Sequence, residues 1–70
     1  MLPLVGDTVL VTVGGSVEYP ELRPALVTST AWGVNLRVFL EPGDDGPEFI
    51  RNAPRGDRVG QYRTLADMGR

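Results

Sequence analysis

The stretch Val34-Asn35-Leu36-Arg37-Val38-Phe39-Leu40 is the clearest strand in the sequence. Its aliphatic residues alternate strictly with Asn35, Arg37 and Phe39, and a period of two is typical of a strand with one buried face. The pattern predicts a strand over 34–40 whose aliphatic side chains face a core.

Two further β-rich runs precede this strand. In residues 5–13, valine recurs at every second position from residue 9 onward, which predicts a half-buried first strand. Gly14-Gly15 ends it, and residues 16–24 are polar with two prolines, which predicts a loop. Residues 25–30 are rich in β-branched side chains and predict a second strand. The short connection Ala31-Trp32-Gly33 predicts a hairpin, so that strands two and three pair antiparallel.

The rest of the chain predicts shorter elements. Residues 41–47 gather proline, glycine and aspartate and predict a loop. Residues 48–53 predict a short fourth strand, and after a turn residues 59–64 predict a fifth. Residues 65–68 permit at most one helical turn. The elements together predict an all-β fold.

The number and spacing of these strands favour one small architecture. Nine glycines and six prolines in 70 residues leave no room for helices of ordinary length. We predict a single domain over 1–70, a small SH3-like barrel of four to five antiparallel strands. A five-stranded OB barrel is the alternative, but it normally needs a longer chain.

Composition narrows the chemistry that the chain can perform. It contains no cysteine and no histidine, which removes disulfides, Cys/His zinc sites and thiol or imidazole catalysis. Asp44, Asp45 and Glu48 could supply oxygen ligands to Ca²⁺, but a solvated turn is favoured because the EF-hand spacing is missing. We therefore expect no metal site, no cofactor and no enzymatic activity. So small a core favours oligomerisation or packing onto a larger assembly.

The charges are unevenly distributed along the chain. Seven arginines, no lysine and nine acids give a net charge of −2, but residues 1–48 carry −5 and residues 49–70 carry +3. Arginine recognises phosphates and carboxylates through its planar fork. The candidate residues for binding an anion or an acidic partner are Arg51, Arg55, Arg58 and Arg63. They could bridge to the acidic part of a neighbouring subunit, lie solvated, or bind a nucleotide-like anion or nucleic acid.

Several large apolar side chains fall outside the predicted core. Phe39 shares its strand face with polar residues, and Leu10 does the same in the first strand. With Trp32 and Tyr62, they are candidates for an exposed apolar patch that forms an interface. The alternative is that the long loop or the C-terminal tail folds over them as a second small core.

The order of several short motifs resembles a known group of proteins. The motifs are Pro3-x-Val5-Gly6-x-x-Val9, Arg23-Pro24-Ala25-x-Val27-Thr28, Val34-Asn35-Leu36-x-Val38-Phe39 and Gly60-Gln61-Tyr62-Arg63. Together they resemble small, largely uncharacterised proteins of tailed bacteriophages and prophages over most of the chain. Tyr62 stands where those proteins commonly carry a tryptophan, and their second aromatic residue is absent here. The resemblance implies phage origin and a compact β fold, and it carries no catalytic residues.

These observations lead to three expectations of function. The first is a non-enzymatic protein-interaction module, oligomeric or docked on the virion as a small structural, decoration or accessory subunit. The second is a homo-oligomer that sequesters a small anionic, nucleotide-like ligand, and the third is a nucleic-acid-binding barrel. A net charge of −2 argues against nucleic acid. Residues 1–6 lack the features of a signal peptide and no long apolar run is present, so we expect host cytoplasm or virion and no membrane partner.

Overall fold

The computed structural model describes residues 2–68 of the chain. It contains five strands, followed by a single 3₁₀ turn near the C-terminus. The elements are β1 (Thr8–Gly15), β2 (Pro20–Ser29), β3 (Asn35–Val38), β4 (Phe49–Ile50), β5 (Tyr62–Arg63) and the 3₁₀ turn (Ala66–Met68). The predicted all-β class is confirmed.

The strands form one antiparallel sheet with β2 at its centre. Their order is β4-β3-β2-β1-β5, so β5 returns to pair with β1 at the opposite edge from β4. Within residues 2–68 the two edge strands do not pair with each other, and the sheet is open. The predicted hairpin is confirmed, because β2 and β3 pair antiparallel on either side of residues 30–34.

One face of the sheet forms the hydrophobic core. Directly paired residues of an antiparallel sheet point to the same side, and the inward pairs run continuously from β5 to β4. The buried residues are Val9, Val11, Ala25, Val27, Val34, Leu36, Val38, Ala53 and Tyr62, with Val13, Leu40 and Ile50 packed against them. The inward faces predicted for the first and third strands are therefore confirmed.

The second strand is longer than the sequence pattern predicts. It begins at Pro20 and includes Pro24, so the expectation of a loop over 16–24 is wrong for the second half of that segment. Proline donates no hydrogen bond and is tolerated at a strand's first residue and where a neighbouring strand is missing. The Pro24 carbonyl accepts the Phe39 N–H at 2.9 Å, just past the end of β3. Pro24 therefore lies at the end of the pairing between β2 and β3.

The last two strands are shorter than predicted because local hydrogen bonds divert the backbone. After β4, Asn52 adopts a positive φ of 51°, and its N–H donates to the Asn35 side chain at 3.0 Å instead of to a strand. Before β5, the Gln61 N–H donates to the Arg58 carbonyl at 2.9 Å and closes a turn. Only Phe49–Ile50 and Tyr62–Arg63 remain as strands.

Candidate interaction surface

The side of the sheet opposite the core carries a continuous set of large side chains, which we call the outer face. Its members are linked by direct pairing across the strands: Leu10 with Pro24 and with Arg63, Leu26 with Arg37, and Arg37 with Phe49. Phe39 lies two residues beyond Arg37 and so projects to the same side. The outer face thus consists of Leu10, Pro24, Leu26, Arg37, Phe39, Phe49 and Arg63.

The apolar members of the outer face remain open to solvent. Phe39 is 47% exposed and Phe49 is 65% exposed, while Leu10 and Leu26 are half-buried. Contiguous exposed apolar side chains on a small domain are typical of an interaction site.

Arginine side chains accompany these rings. The Arg37 guanidinium lies 5.7 Å from the centre of the Phe39 ring, within the range of a cation–π contact. The same guanidinium is 3.8 Å from the carboxylate of Glu48, at the β4 edge of the sheet. Both partners of this ion pair are about half exposed, so it adds little to the stability of the fold. It does orient the cation over the outer face.

Arg63 lies on β5, at the edge of the outer face opposite β4. Among residues 2–68 no acid pairs with its guanidinium, and its Nε atom is buried without a hydrogen-bond acceptor. Burying a charged donor without a partner is unfavourable. Residues 2–68 therefore leave this Nε donor unsatisfied.

Two of the predicted interface residues lie elsewhere. Tyr62 is only 1% exposed and packs in the core opposite Val11, so its ring cannot contact a partner and the prediction for it is corrected. The physical reason is that β5 pairs with β1 in the register that turns Tyr62 inward. Trp32 is 88% exposed, but it lies at the hairpin tip between β2 and β3, at one end of the sheet and outside the rows of the outer face.

The four arginines proposed as an anion site do not converge. Arg51 follows β4, whereas Arg63 lies in β5 at the other edge of the sheet. Arg55 and Arg63 line one surface hollow, but Asp57 and Asp67 line it as well. Arg58 lies in an exposed loop outside that hollow. The arrangement brings together two arginines and two acids, which is a mixed-charge surface.

Arg55 and Asp67 form an ion pair that anchors the C-terminal turn. Arg55 Nε donates to Asp67 at 2.8 Å, and the Thr64 N–H donates to the same carboxylate at 3.0 Å. The hydrogen bond from Arg55, followed by the one from Thr64, lowers the pKa of Asp67 well below its usual range. Asp67 in turn raises the pKa of the Arg55 guanidinium. Both groups thus serve the local structure.

Asp44 has a similar structural role in the loop 41–47. Its carboxylate accepts hydrogen bonds from Arg23 Nε at 2.8 Å and from the Glu41 N–H at 2.7 Å. The Arg23 hydrogen bond, with the one from Glu41, lowers the pKa of Asp44. In the described part of the chain no three acidic side chains are grouped so as to hold a metal ion. The Asp44 carboxylate instead fastens its loop to β2.

Sequence reasoning missed several members of the outer face. Phe49, Leu26 and Pro24 belong to it, and Glu48 borders it. Leu26 stands between the buried residues Ala25 and Val27, and this alternation could have predicted that it lies on the face opposite the core. The side on which Phe49 projects depends on the pairing of β4 with β3, which the sequence of a two-residue strand does not specify.

Comparisons with known proteins add no assignment. The chain matches no protein-family model, no curated protein and no solved structure. The resemblance to small phage proteins stays a prediction. Within residues 2–68, no helix has the length and apolar character needed to span a bilayer.

Proposed function

We propose that this protein is a non-enzymatic, phage-encoded interaction module that binds other protein through the outer face of its sheet. The observation that carries the proposal is the row of exposed and half-buried apolar side chains next to Arg63, whose guanidinium has no acid partner among residues 2–68. Aromatic residues and arginine are the side chains most enriched at the centres of protein interfaces. In this proposal the partner is the protein itself or a larger phage assembly, on which it acts as a structural or accessory subunit.

The proposal includes an SH3-like architecture for the sheet. A meander of four strands, with a fifth returning to pair with β1, is the order expected of such a small barrel. A strongly curved sheet of this order surrounds one core with its inner face and presents the other to partners. The solvent-facing side of β1, β2 and β3 would then be the natural docking surface.

The alternatives of sequestering a nucleotide-like anion or binding nucleic acid receive less support from the geometry. Both functions need several cations directed at one ligand. Arg51 and Arg63 are on opposite edges of the sheet, and Arg55 is engaged by Asp67. The described acids Asp44 and Asp67 are likewise engaged in structural ion pairs, which argues against their use as catalytic groups.

Site-specific photocrosslinking in phage-infected cells tests the proposal. A photoreactive phenylalanine analogue replaces Phe39 on the outer face or Val17, which is 92% exposed in the loop between β1 and β2. We expect position 39 to crosslink to a second copy or to a protein of the phage particle, and position 17 to give no such product. The same product from both positions, or from position 17 alone, would contradict the assignment of the outer face.

A further inference from the structure

We propose that a hollow at one end of the sheet binds an arginine side chain presented by a basic partner protein. The hollow, which we call the end hollow, has a volume of about 540 Å³. It lies beside the second half of β1, between the loop 41–47 and the turn that precedes β5. None of its lining residues belongs to the outer face, so this inference goes beyond the proposed function.

The floor of the end hollow is apolar. Val11 and Val13 of β1 and Ile50 of β4 belong to the core or pack against it. Val13 and Ile50 are only partly buried, so the core is incompletely covered at this end of the sheet. Val59 of the turn adds a side chain that is 65% exposed. The aliphatic stem of an arginine packs favourably on such a floor while its charged end stays at the rim.

The loop 41–47 forms a fixed wall of the end hollow. The Asp44 carboxylate accepts the Glu41 N–H at 2.7 Å and Arg23 Nε at 2.8 Å, and the Asp44 N–H donates to the Glu41 carbonyl at 3.0 Å. These hydrogen bonds close the loop and fasten it to β2. Gly43 and Gly46 line the hollow and carry no side chain that would fill it. The hollow is thus already formed in the free protein, as most ligand sites are.

The charge around the end hollow is negative. Its lining contains the acidic residues Glu21, Asp44 and Asp45 and no basic residue. Arg23 lies beside it, bonded to Asp44 and also 3.1 Å from Glu41 and 3.7 Å from Glu21. Four carboxylates and one guanidinium leave a local charge of −3, and Asp45 forms no ion pair within residues 2–68. A hollow with apolar walls and carboxylates of one sign concentrates cations.

One polar group in the lining is buried with unused hydrogen-bonding capacity. Thr12 is only 4% exposed, and its hydroxyl donates to the Asp57 carbonyl at 3.5 Å, longer than the roughly 2.5–3.0 Å of an ordinary O–H···O hydrogen bond. The hydroxyl accepts no hydrogen bond within residues 2–68. We expect a guanidinium N–H in the end hollow to supply that donor.

The combination of an apolar floor and separated carboxylates favours arginine over other cations. Within residues 2–68 no three acidic side chains are grouped so as to hold a metal ion. A guanidinium is weakly hydrated and bonds carboxylates through its planar fork, so it suits a site that is partly apolar. The chain carries a net charge of −2, which repels further copies and attracts a basic protein.

Nuclear magnetic resonance titration with Nα-acetyl-arginine methylamide tests the site. The backbone amides of Gly43, Gly46 and Gly60 line the end hollow and serve as reporters, whereas Gly6 and Gly33 lie outside it. We expect saturable shifts of the three reporters in ¹⁵N-labelled wild type, and none at the other two glycines. The absence of shifts at the reporters, or equal shifts at all five glycines, would overturn the proposal.

Two comparison ligands test the chemistry. Nα-acetyl-citrulline methylamide keeps the shape of the arginine probe but has no charge, and we expect its dissociation constant to be about tenfold higher or more. Equal binding of both probes would overturn recognition of the cation. Calcium chloride that shifts the same reporters and displaces the arginine probe would make the hollow a metal site. Reporter shifts that depend on protein concentration alone would place a second copy there instead of a separate partner.

A matched pair of substitutions tests the carboxylates. Asp45→Asn removes a charge from the lining at a side chain that makes no hydrogen bond within residues 2–68, so the fold should persist. We expect it to raise the dissociation constant of the arginine probe about threefold or more. Glu18→Gln makes the same change in the exposed loop before β2, outside the lining, and should leave the constant unchanged. Equal effects of the two variants, both folded by circular dichroism, would contradict the assigned site.

Discussion

The two faces of the central sheet are built from the same strands but differ in what surrounds them. On β3, the inward residues Leu36 and Val38 are 1% and 2% exposed, whereas Phe39, one residue further on, is 47% exposed. The inner face is closed by its own chain, whereas the aromatic rings of the outer face stay in contact with solvent. The contrast shows that the side of the pleat decides whether a large apolar residue of this sheet joins the core.

The largest expected difference in stability between the two faces comes from placing the same charge on each side of β3. Val38→Asp buries a carboxylate without a partner, which we expect to cost more than about 4 kcal/mol and to unfold so small a domain. Phe39→Asp leaves its charge in solvent and should change the free energy of unfolding by less than about 1 kcal/mol. Urea unfolding followed by circular dichroism measures both.

This comparison requires a protein concentration at which the wild type is monomeric, because association itself adds stability. An unfolded Phe39→Asp monomer under those conditions would show that Phe39 belongs to a second core. The outer face would then lose its main apolar anchor.

A smaller effect on stability is expected from substitutions that remove side-chain volume without adding charge. Leu36→Ala empties a fully buried site and is expected to cost about 2–5 kcal/mol, since the cavity left behind collapses only in part. Leu26→Ala, on the neighbouring strand β2 and on the outer face, should cost about 1 kcal/mol because its side chain is only half-buried. The denaturant midpoints of the two variants give the ratio of their losses in stability. Equal losses would mean that the outer face also packs against its own chain.

The hairpin that sets the alignment of β2 with β3 provides the next test. Gly33 has a φ of 117°, and a Cβ at this position would overlap the Asn52 side chain. We expect Gly33→Ala to cost about 1–3 kcal/mol, from backbone strain and from that overlap. Gly43→Ala is the matched control, because φ is also positive there but nothing lies near the added Cβ. It should cost about 1 kcal/mol, and thermal unfolding of the two variants would reveal whether the overlap matters.

The smallest expected effect concerns the ion pairs at the ends of the sheet. The folded-state pKa of Asp67 is lowered, so its contribution to stability is fully present above the unfolded pKa of about 4 and is lost as the pH falls through the folded value. The wild type should therefore lose urea resistance between about pH 5 and about pH 2. In Asp67→Asn, the stability against urea should depend less on pH over this range.

Asp45→Asn serves as the control for this measurement. It removes the same charge from a carboxylate that makes no hydrogen bond or ion pair within residues 2–68. We expect Asp45→Asn to follow the pH dependence of the wild type. If Asp67→Asn also follows the pH dependence of the wild type, the ion pair between Arg55 and Asp67 contributes nothing to folding stability.

The sequence predicted the local features that depend on alternation and on turn residues. The inward positions of β1 and β3, the hairpin at residues 31–33 and the single turn at the C-terminus follow from side-chain period and from glycine and proline. Predictions from the sequence failed where pairing with distant strands decides the structure. Pro24 is accommodated within β2 at the end of its pairing with β3, and Tyr62 is buried because β5 pairs with β1.

The candidate surface could be predicted only in part. Phe39 and Leu10 were identified because each departs from the expected polar side of its own strand. Phe49 and Arg63 could not be placed, because two-residue strands carry no readable period and their orientation depends on the strand beside them. The separation of Arg51 from Arg63 follows from the strand order, which is a long-range property.

The all-β class, the two main inward rows and the connection between β2 and β3 follow from the sequence, because they depend on neighbouring residues and on backbone freedom. The burial of Tyr62, the separation of Arg63 from Phe49 and the continuity of the outer face follow from the tertiary structure. Those features arise from the pairing of strands far apart in the chain, and each pairing turns a side chain to one face or the other.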